Sequence, residues 1–198
     1  MTGDLSPERR AANLAELQER SDRNLPWDVV VIGGGITGVG VALDASSRGL
    51  EVLLLEAHDL AFGTSRWSSK LVHGGLRYLA NGQVDVAWES AVERDILMRV
   101  IAPHLVTAGA HVIPITSEDR SWSTALLRAG LLAGDALRVG AGTPSSLLPR
   151  SRRIDASTVL EMLPAVDSRR LRGGLIAWDG LLEDDARLVV NVARTASA

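Results

Sequence analysis

The chain has 198 residues, of which 46% are hydrophobic, so it can bury the core of one domain and part of a second. Its 21 Lys and Arg residues against 24 Asp and Glu residues give a net charge of −3, which does not favour nucleic-acid binding. It has no cysteine, which excludes disulfides, thiolate metal sites and a catalytic thiol, and we expect no metal site.

Residues 1–25 are predicted to form a charged helical arm. Ser6 and Pro7 suit the N-cap and first helical positions of a helix over residues 8–23. Only a thin apolar stripe runs along this helix, so we interpret it as a surface arm rather than as a binding element.

Residues 28–38 read DVVVIGGGITG and predict a strand that runs directly into a glycine-rich turn. The apolar residues 29–32 show no polar alternation, which is typical of a strand buried on both faces of a parallel sheet. Gly33, Gly35 and Gly38 have the G-x-G-x-x-G spacing. The first glycine permits a sharp turn, the second lets the backbone approach a pyrophosphate, and the third lets the next helix pack closely. That helix directs free N–H groups and its positive dipole end at the phosphates.

A second buried strand is predicted over residues 51–56, after a helix that is closed by Gly49. Glu56 lies 18 positions after Gly38, close to the spacing of a carboxylate that accepts from ribose hydroxyls. An acid at this position favours a free 2′-hydroxyl, so we expect an ADP-containing cofactor, FAD or NAD rather than NADP. An ordinary βαβ unit with glycine turns is the alternative.

Residues 58–79 read HDLAFGTSRWSSKLVHGGLRYL and are rich in hydroxyls, glycines and basic side chains. They show little periodicity, which is typical of a loop that forms hydrogen bonds rather than a packed core. We expect this loop to approach the ligand of the glycine-rich turn, and a surface loop with a short helix is the alternative.

The remaining chain is predicted to be mostly scaffold. Residues 83–101 predict one amphipathic helix whose buried side consists of Val84, Trp88, Ala91, Val92 and Ile96. A short strand follows at 110–115, and its proline indicates a sheet edge or a strand end. Residues 121–139 predict a leucine-rich helix. Its leucines and arginines are compatible with contact at a bilayer surface, but burial on one side is the preferred interpretation.

Two further helices are predicted near the end of the chain. Asp155 is expected to cap a short helix that ends before Pro164. A strand over residues 171–178 follows. The acids Glu183, Asp184 and Asp185 then open a final helix, where they suit its N-terminal dipole.

Four segments resemble the FAD-dependent glycerol-3-phosphate dehydrogenases, the quinone-linked flavoproteins of glycerol catabolism. They are IGGGITGVG at 32–40, LLEA at 54–57, GTS at 63–65 and SSKLVHGGLRYL at 68–79. Weaker similarities are ERDIL at 93–97, APHL at 102–105 and DDARL at 184–188. The segment at 68–79 is the most selective of these, because the glycine fingerprint is shared by many flavoproteins.

The resemblance implies an α/β fold: a Rossmann-like FAD-binding domain of the glutathione-reductase type, with the beginning of a substrate or cap region. We therefore expect a helical arm at 1–25, the FAD-binding domain with its flavin loop at 26–110, and the start of the substrate or cap region at 111–198. Members of the family are considerably longer. We therefore expect an N-terminal portion or a truncated reading frame, with weak or no activity by itself.

The resemblance also implies roles for individual residues. FAD would contact ten positions, namely Gly33, Gly35, Gly38, Glu56, Thr64, Ser65, Ser69, His73, Gly74 and Gly75. Arg77 and Tyr78 would face the substrate phosphate, where a guanidinium fork matches phosphate oxygens. His73 is also a candidate donor or base near the flavin. Arg66 and Trp67 stand where the family has small residues.

The implied reaction is oxidation of sn-glycerol 3-phosphate to dihydroxyacetone phosphate, with hydride passing to flavin N5 and electrons passing on to quinone, or to oxygen. No apolar run approaches the ~20 residues of a membrane span, so we expect a cytoplasmic protein that at most lies on the inner face of the cell membrane. A non-catalytic FAD-binding remnant and a flavoprotein oxidase of an amine, amino acid or hydroxy acid stay open. An NAD-dependent dehydrogenase is disfavoured, because the loop at 64–79 would have no role in it.

Overall fold

The structure is a computed structural model that describes residues 4–198, apart from the side chain of Ala80. The predicted arm therefore begins three residues before the described part. The helices are α1 (Pro7–Asp22), α2 (Ile36–Ser47), α3 (Leu76–Ala80), α4 (Val84–Ile96), α5 (Ser121–Gly140), α6 (Ala156–Met162) and α7 (Asp185–Ala196). The strands are β1 (Val29–Ile32), β2 (Val52–Leu55), β3 (Leu71–Val72), β4 (Val106–Thr116), β5 (Arg152–Ile154) and β6 (Leu171–Leu182).

The chain forms two compact units. The first consists of the described residues up to Ser69 together with Asp184–Ala198, and the second consists of Lys70–Glu183. β4 runs across residue 110 and α7 belongs to the first unit, because these units are defined by long-range packing, which sequence periodicity does not reveal. The assignment of separate functions to the parts of the chain stays a prediction.

The first unit is built on the predicted βαβ arrangement. β1 and β2 pair in parallel, with Val29 opposite Val52 and Ile32 opposite Leu55. The core lies where α2 meets α7: Val39 of α2 is fully buried with Val189 and Ala193 of α7. The expected strand–turn–helix–strand order is therefore confirmed, and the final helix completes its core.

The prediction that β1 is buried on both faces was wrong. Val31 is buried, whereas Val30 is 52% exposed and Ile32 is 86% exposed. In residues 4–198 this parallel sheet has two strands, and the β1 and β2 side chains that are covered lie on the side where α2 and α7 pack. The opposite side chains consequently face outward.

The predicted N-terminal helix is confirmed as α1. The Ser6 hydroxyl accepts from the Arg9 backbone N–H at 3.2 Å, and Pro7 occupies the first turn. α1 has no buried residue, which fits a surface arm. The Arg20 guanidinium attaches it to the first unit, since it lies 4.0 Å from the centre of the Trp27 ring.

The second unit contains an antiparallel sheet in which β6 is central. β4 pairs along one edge of β6, and β3 and β5 pair along the other. Both long strands extend beyond their predicted bounds. β4 is an edge strand, as its proline indicated. Pro114 has no backbone N–H group, and at an edge there is no second neighbouring strand that would need this donor.

The buried side of α4 agrees only in part with the predicted one. Ala91 is buried as predicted, but Val84 and Trp88 are exposed, and Ala87 and the charged residue Arg94 are buried instead. α4 continues into a π-helical turn over Leu97–Ile101. Polar side chains on the inner face mean that specific partners, rather than apolar periodicity, fix the orientation of this helix.

Helix caps follow the sequence closely at the other helices. Asp155 accepts from the Thr158 N–H at 2.8 Å and begins α6. Asp184 accepts from the Arg187 N–H at 3.0 Å and begins α7. The cap at Asp155 was predicted, whereas Asp184 was predicted only as one of three acids at the beginning of the last helix. An N-cap is a local interaction between residues three positions apart, which makes it accessible to sequence reasoning.

α5 is buried on one side, as preferred from the sequence, but its polarity is unusual. Leu131 and Arg138 are the buried residues. The exposed face is apolar and carries Trp122, Leu126, Leu132 and Val139, which follow one another at intervals of four, six and seven positions. No helix between residues 4 and 198 is long and apolar enough to cross a bilayer.

Candidate FAD-binding site

The glycine-rich turn joins β1 to α2 with almost no free space. Gly33 has φ +108°, a conformation that L side chains rarely adopt. A Cβ atom on Gly38 would lie 1.9 Å from the Gly33 carbonyl oxygen, and one on Gly35 would lie 3.1 Å from the Ser65 hydroxyl. The turn therefore requires glycine at positions 33 and 38, and α2 packs tightly against it.

Glu56 is held in place directly after β2. One carboxylate oxygen accepts from the Gly34 N–H at 2.7 Å, and the other accepts from the His58 N–H at 2.8 Å. These bonds lower the pKa of Glu56 below its ordinary value, the Gly34 bond contributing most. The side chain is therefore ionised at neutral pH, and its remaining lone pairs can accept from ribose hydroxyls.

Thr64 and Ser65 lie in a 3₁₀ turn over Thr64–Arg66. The Ser65 hydroxyl accepts from the Ile36 N–H, the first backbone donor of α2, at 2.9 Å. Its own O–H group can still donate to an anion at this helix N-terminus. The Arg66 guanidinium stacks 4.4 Å from the Phe62 ring centre, which accounts for one of the two bulky residues in this loop.

Ser68, which precedes the predicted site residue Ser69, is hydrogen-bonded to α7. The backbone N–H and hydroxyl of Ser68 donate to Asp185 at 3.1 and 2.9 Å. Asp185 is buried at the start of α7, and the sequence interpretation gave it only a helix-dipole role. The DDARL similarity at 184–188 was the signal that could have identified it. Ser69 itself is exposed.

Gly74 and Gly75 pack against α4 in the second unit. The Gly74 N–H donates to Asp179 at 3.0 Å, and the Arg94 guanidinium donates to the same carboxylate at 2.6 Å. Gly75 has φ +82°, and a Cβ there would lie 2.6 Å from the Ala87 Cα. Arg94 and Asp179 are thus residues that sequence reasoning missed, and the ERDIL similarity at 93–97 was a signal for the first of them.

The three predicted catalytic side chains lie close together. The His73 and Tyr78 rings are 5.7 Å apart between centres, and the Arg77 guanidinium is 5.8 Å from the Tyr78 ring centre. His73 and Arg77 are exposed, and Arg77 has no ion-pair partner within residues 4–198. This cluster can therefore offer a free cation, a phenol and an imidazole to a polar anion.

The predicted site residues fall into two groups. Gly33, Gly35, Gly38, Glu56, Thr64, Ser65 and Ser69 belong to the first unit, and His73, Gly74, Gly75, Arg77 and Tyr78 belong to the second. The first group suits the ADP part of FAD: a turn that only glycine can form, an ionised carboxylate and a hydroxyl at a helix N-terminus. A common site for both groups stays a prediction.

Comparison with known proteins identifies the family. Residues 28–198 match the family model described as FAD dependent oxidoreductase. The chain is 61% identical over 193 residues to glycerol-3-phosphate dehydrogenase 1 of Mycobacterium tuberculosis (strain H37Rv), covering 98% of this chain. It spans 37% of the length of that relative.

Solved structures agree on the fold. The glycerol-3-phosphate dehydrogenase of Bacillus halodurans, complexed with FAD, matches with a TM-score of 0.52 and 29% identity, over 86% of this chain and 24% of that one. The L-alpha-glycerophosphate oxidase of Mycoplasma pneumoniae, with FAD bound, matches with a TM-score of 0.62 and 19% identity, over 86% and 42% of the two chains. The predicted α/β fold and the predicted cofactor are confirmed. The chain belongs to the family of FAD-dependent oxidoreductases.

Proposed function

We propose that this chain is part of an FAD-dependent enzyme that oxidises sn-glycerol 3-phosphate to dihydroxyacetone phosphate. The observation that carries this proposal is the 61% identity to a glycerol-3-phosphate dehydrogenase over 98% of the chain. The match covers nearly the whole chain and therefore the loop at 63–79, which contains the most selective segment of the sequence. Because the chain spans 37% of the length of that relative, we expect weak or no turnover by this chain alone.

FAD is proposed to be held by both groups of residues. The turn formed by Gly33, Gly35 and Gly38 and the hydroxyls of Thr64 and Ser65 would bind its pyrophosphate. Glu56 would bind the adenosine ribose, and its fixed carboxylate supports this role. Further along the cofactor, the residues proposed to line the flavin are Ser69, His73, Gly74 and Gly75.

Arg77 and Tyr78 are proposed to bind the substrate phosphate. A guanidinium without an ion-pair partner supports this role, because a phosphate dianion would supply the missing charge. The Tyr78 hydroxyl would donate a further hydrogen bond. His73, beside Tyr78, would accept the proton of the C2 hydroxyl, so that alcohol and phosphate are held by neighbouring side chains.

The chemistry that FAD supplies when bound is the acceptance of a hydride from C2 of the alcohol. The work of the chain is to bind the cofactor, to hold the phosphate and to orient the alcohol. Electrons would then leave to a membrane quinone. Oxygen is the other acceptor compatible with the same residues.

Arg77→Ala tests the substrate assignment. In the FAD-loaded chain, glycerol 3-phosphate should perturb the visible flavin spectrum at far lower concentration than glycerol. The substitution should raise the half-saturating concentration about tenfold or more, because a charge-assisted hydrogen bond contributes about 1.5–3 kcal/mol. Arg152→Ala, at an exposed arginine on β5, serves as the control and should change nothing.

Three outcomes would contradict the assignment. Equal effects of glycerol and glycerol 3-phosphate would remove the role of the phosphate. Bleaching by an amino acid, an amine or a hydroxy acid would favour the flavoprotein oxidase alternative. Bound flavin that responds to none of these compounds would favour a non-catalytic FAD-binding remnant.

Peripheral contact with a membrane is the second part of the proposal, because a quinone acceptor is located there. The exposed apolar face of α5 supports it: Trp122 is 63% exposed and Leu126 is 66% exposed. A helix with such a face can lie in the headgroup region, with tryptophan at the interface. The exposed Arg120 at its beginning would favour anionic lipid on the cytoplasmic side.

Leu126→Glu should reduce flotation of the chain with vesicles of mixed neutral and anionic lipid several-fold, because a charge would replace an inserted leucine. Leu14→Glu provides a matched control, since Leu14 is similarly exposed but lies on the polar arm α1. Equal flotation of wild type and Leu126→Glu would refute membrane contact through α5, as would equal losses in both variants.

A further inference from the structure

A cleft in the second unit lies between α5 and one face of the antiparallel sheet. Its volume is about 210 Å³. The apolar part of its wall includes Leu71, Leu76, Ile113, Leu131, Leu148 and Trp178. An engineered cavity of about 150 Å³ in another protein binds benzene, so this cleft is large enough for a somewhat larger apolar group. Arg77 and Tyr78, the residues proposed to bind the substrate phosphate, do not line it, whereas Gly74 does.

Arg138 supplies the cleft with a buried positive charge. Its side chain is on the inner face of α5, and the residue is 3% exposed. One terminal nitrogen donates to the Thr143 carbonyl oxygen at 2.5 Å, and Nε has no partner. No carboxylate of the described chain forms an ion pair with it. A guanidinium buried in this way is unfavourable unless an anion joins it.

The other charged groups of the cleft are already satisfied. Asp179 accepts from Arg94 and Gly74. Asp135 accepts from the backbone N–H of Ser151 at 3.2 Å and from its hydroxyl at 2.6 Å. Asp135 is thus satisfied by neutral donors, and Arg138 is the cation of the wall that has no carboxylate partner among residues 4–198. The two carboxylates would repel a dianion more strongly than a monoanion, so a single negative charge fits best.

We propose that this cleft binds a small amphiphilic monocarboxylate. The carboxylate pairs with the planar guanidinium of Arg138, whose Nε donor has no partner. The hydrocarbon part packs against Leu131, Leu148 and Trp178. The proposal rests on this cleft alone and does not depend on the substrate of the flavin site.

Octanoate is the probe, and its binding to the purified chain is measured by isothermal titration calorimetry. We expect saturable binding of one octanoate per chain. Arg138→Met should weaken it about tenfold or more, and octanol should bind wild type more weakly than octanoate by a similar factor. Octyl phosphate should also bind more weakly than octanoate. Arg153→Met, at an exposed arginine of the same unit, should bind octanoate like wild type.

Thermal unfolding without ligand separates binding from a structural role. Arg138→Met should unfold at an equal or higher temperature than wild type, because it removes an unpaired buried charge. A lower unfolding temperature together with unchanged octanoate affinity would mean that Arg138 only holds Thr143, and would overturn the proposal.

A second variant fills the cleft without changing its charge. Gly134 lies on α5 in the cleft wall, and a Cβ there would be 3.5 Å from Leu76. Gly134→Leu should abolish octanoate binding. This variant decides the question if Arg138→Met does not fold. Absence of octanoate binding to wild type, full binding to Gly134→Leu, or tighter binding of octyl phosphate than of octanoate would each refute the monocarboxylate site.

Discussion

Replacement of Asp179 by alanine is expected to lower the free energy of unfolding by about 3–5 kcal/mol, the usual cost of removing one member of a buried ion pair. Arg94 would lose its carboxylate while its side chain stays 6% exposed. The Gly74 N–H would lose its acceptor in the same step. A loss of 1 kcal/mol lowers the midpoint temperature of unfolding by about 2–4 °C in a domain of 150–250 residues. The midpoint of the Asp179→Ala variant should therefore be roughly 10 °C lower than that of the wild type.

The change in the free energy of unfolding is measured by chemical denaturation, with circular dichroism as the signal. Asp167→Ala is the matched control, because Asp167 pairs with Arg169 at 3.0 Å on the surface, where both side chains are more than half exposed. That substitution should cost less than about 1 kcal/mol. Asp179→Asn should fall between the two, because an amide oxygen can still accept from Gly74. If Asp179→Ala were no more destabilising than Asp167→Ala, the buried pair would not hold the loop at Gly74.

The local features of this fold could be predicted from the sequence. The glycine spacing determined the turn after β1, and Ser6, Asp155 and Asp184 determined the beginnings of three helices. Each of these features depends on residues within about four positions of each other. Hydrogen bonds and backbone conformations at that range are nearly independent of the rest of the chain.

The long-range contacts could not be predicted. Arg94 meets Asp179 85 positions later, and Ser68 meets Asp185 117 positions later. Nothing in the periodicity of α4 indicated that an arginine would face inward, because apolar spacing alone assigned Val84 and Trp88 to the core. The pairing of β4 with β6 likewise decides which residues share a unit.

The candidate site shows the same division. Glu56 and the glycines were identified by spacing, and their geometry suits a dinucleotide. The group from His73 to Tyr78 was identified only through the resemblance, because composition left its loop ambiguous. Asp179 and Asp185, which hold the two ends of that loop, were not assigned a role beyond the helix dipole. A carboxylate without a motif around it gives no sequence signal for a partner far along the chain.

Gly38→Ala is expected to weaken FAD binding at least about 100-fold. The new Cβ would lie 1.9 Å from the Gly33 carbonyl oxygen and 3.4 Å from Val31. The nearest atom belongs to the backbone, so no side chain can rotate away. Either α2 or the turn must move by more than an ångström, which separates the helix N-terminus from the glycines that bind the pyrophosphate. Overpacking of this kind also costs about 1–3 kcal/mol of stability.

Gly40→Ala, two residues further along α2, is the control for this steric effect. A Cβ on Gly40 meets nothing within 4 Å, so alanine there should stabilise the helix by up to about 1 kcal/mol and leave FAD affinity unchanged. The FAD affinity of both variants is measured by the quenching of flavin fluorescence when apoprotein is titrated with FAD. Comparable FAD affinities for Gly38→Ala and Gly40→Ala would show that close packing at Gly38 is not what forms the pyrophosphate site. Loss of affinity in Gly38→Ala alone would show that the sheet–helix distance is set by the contact between residues 33 and 38.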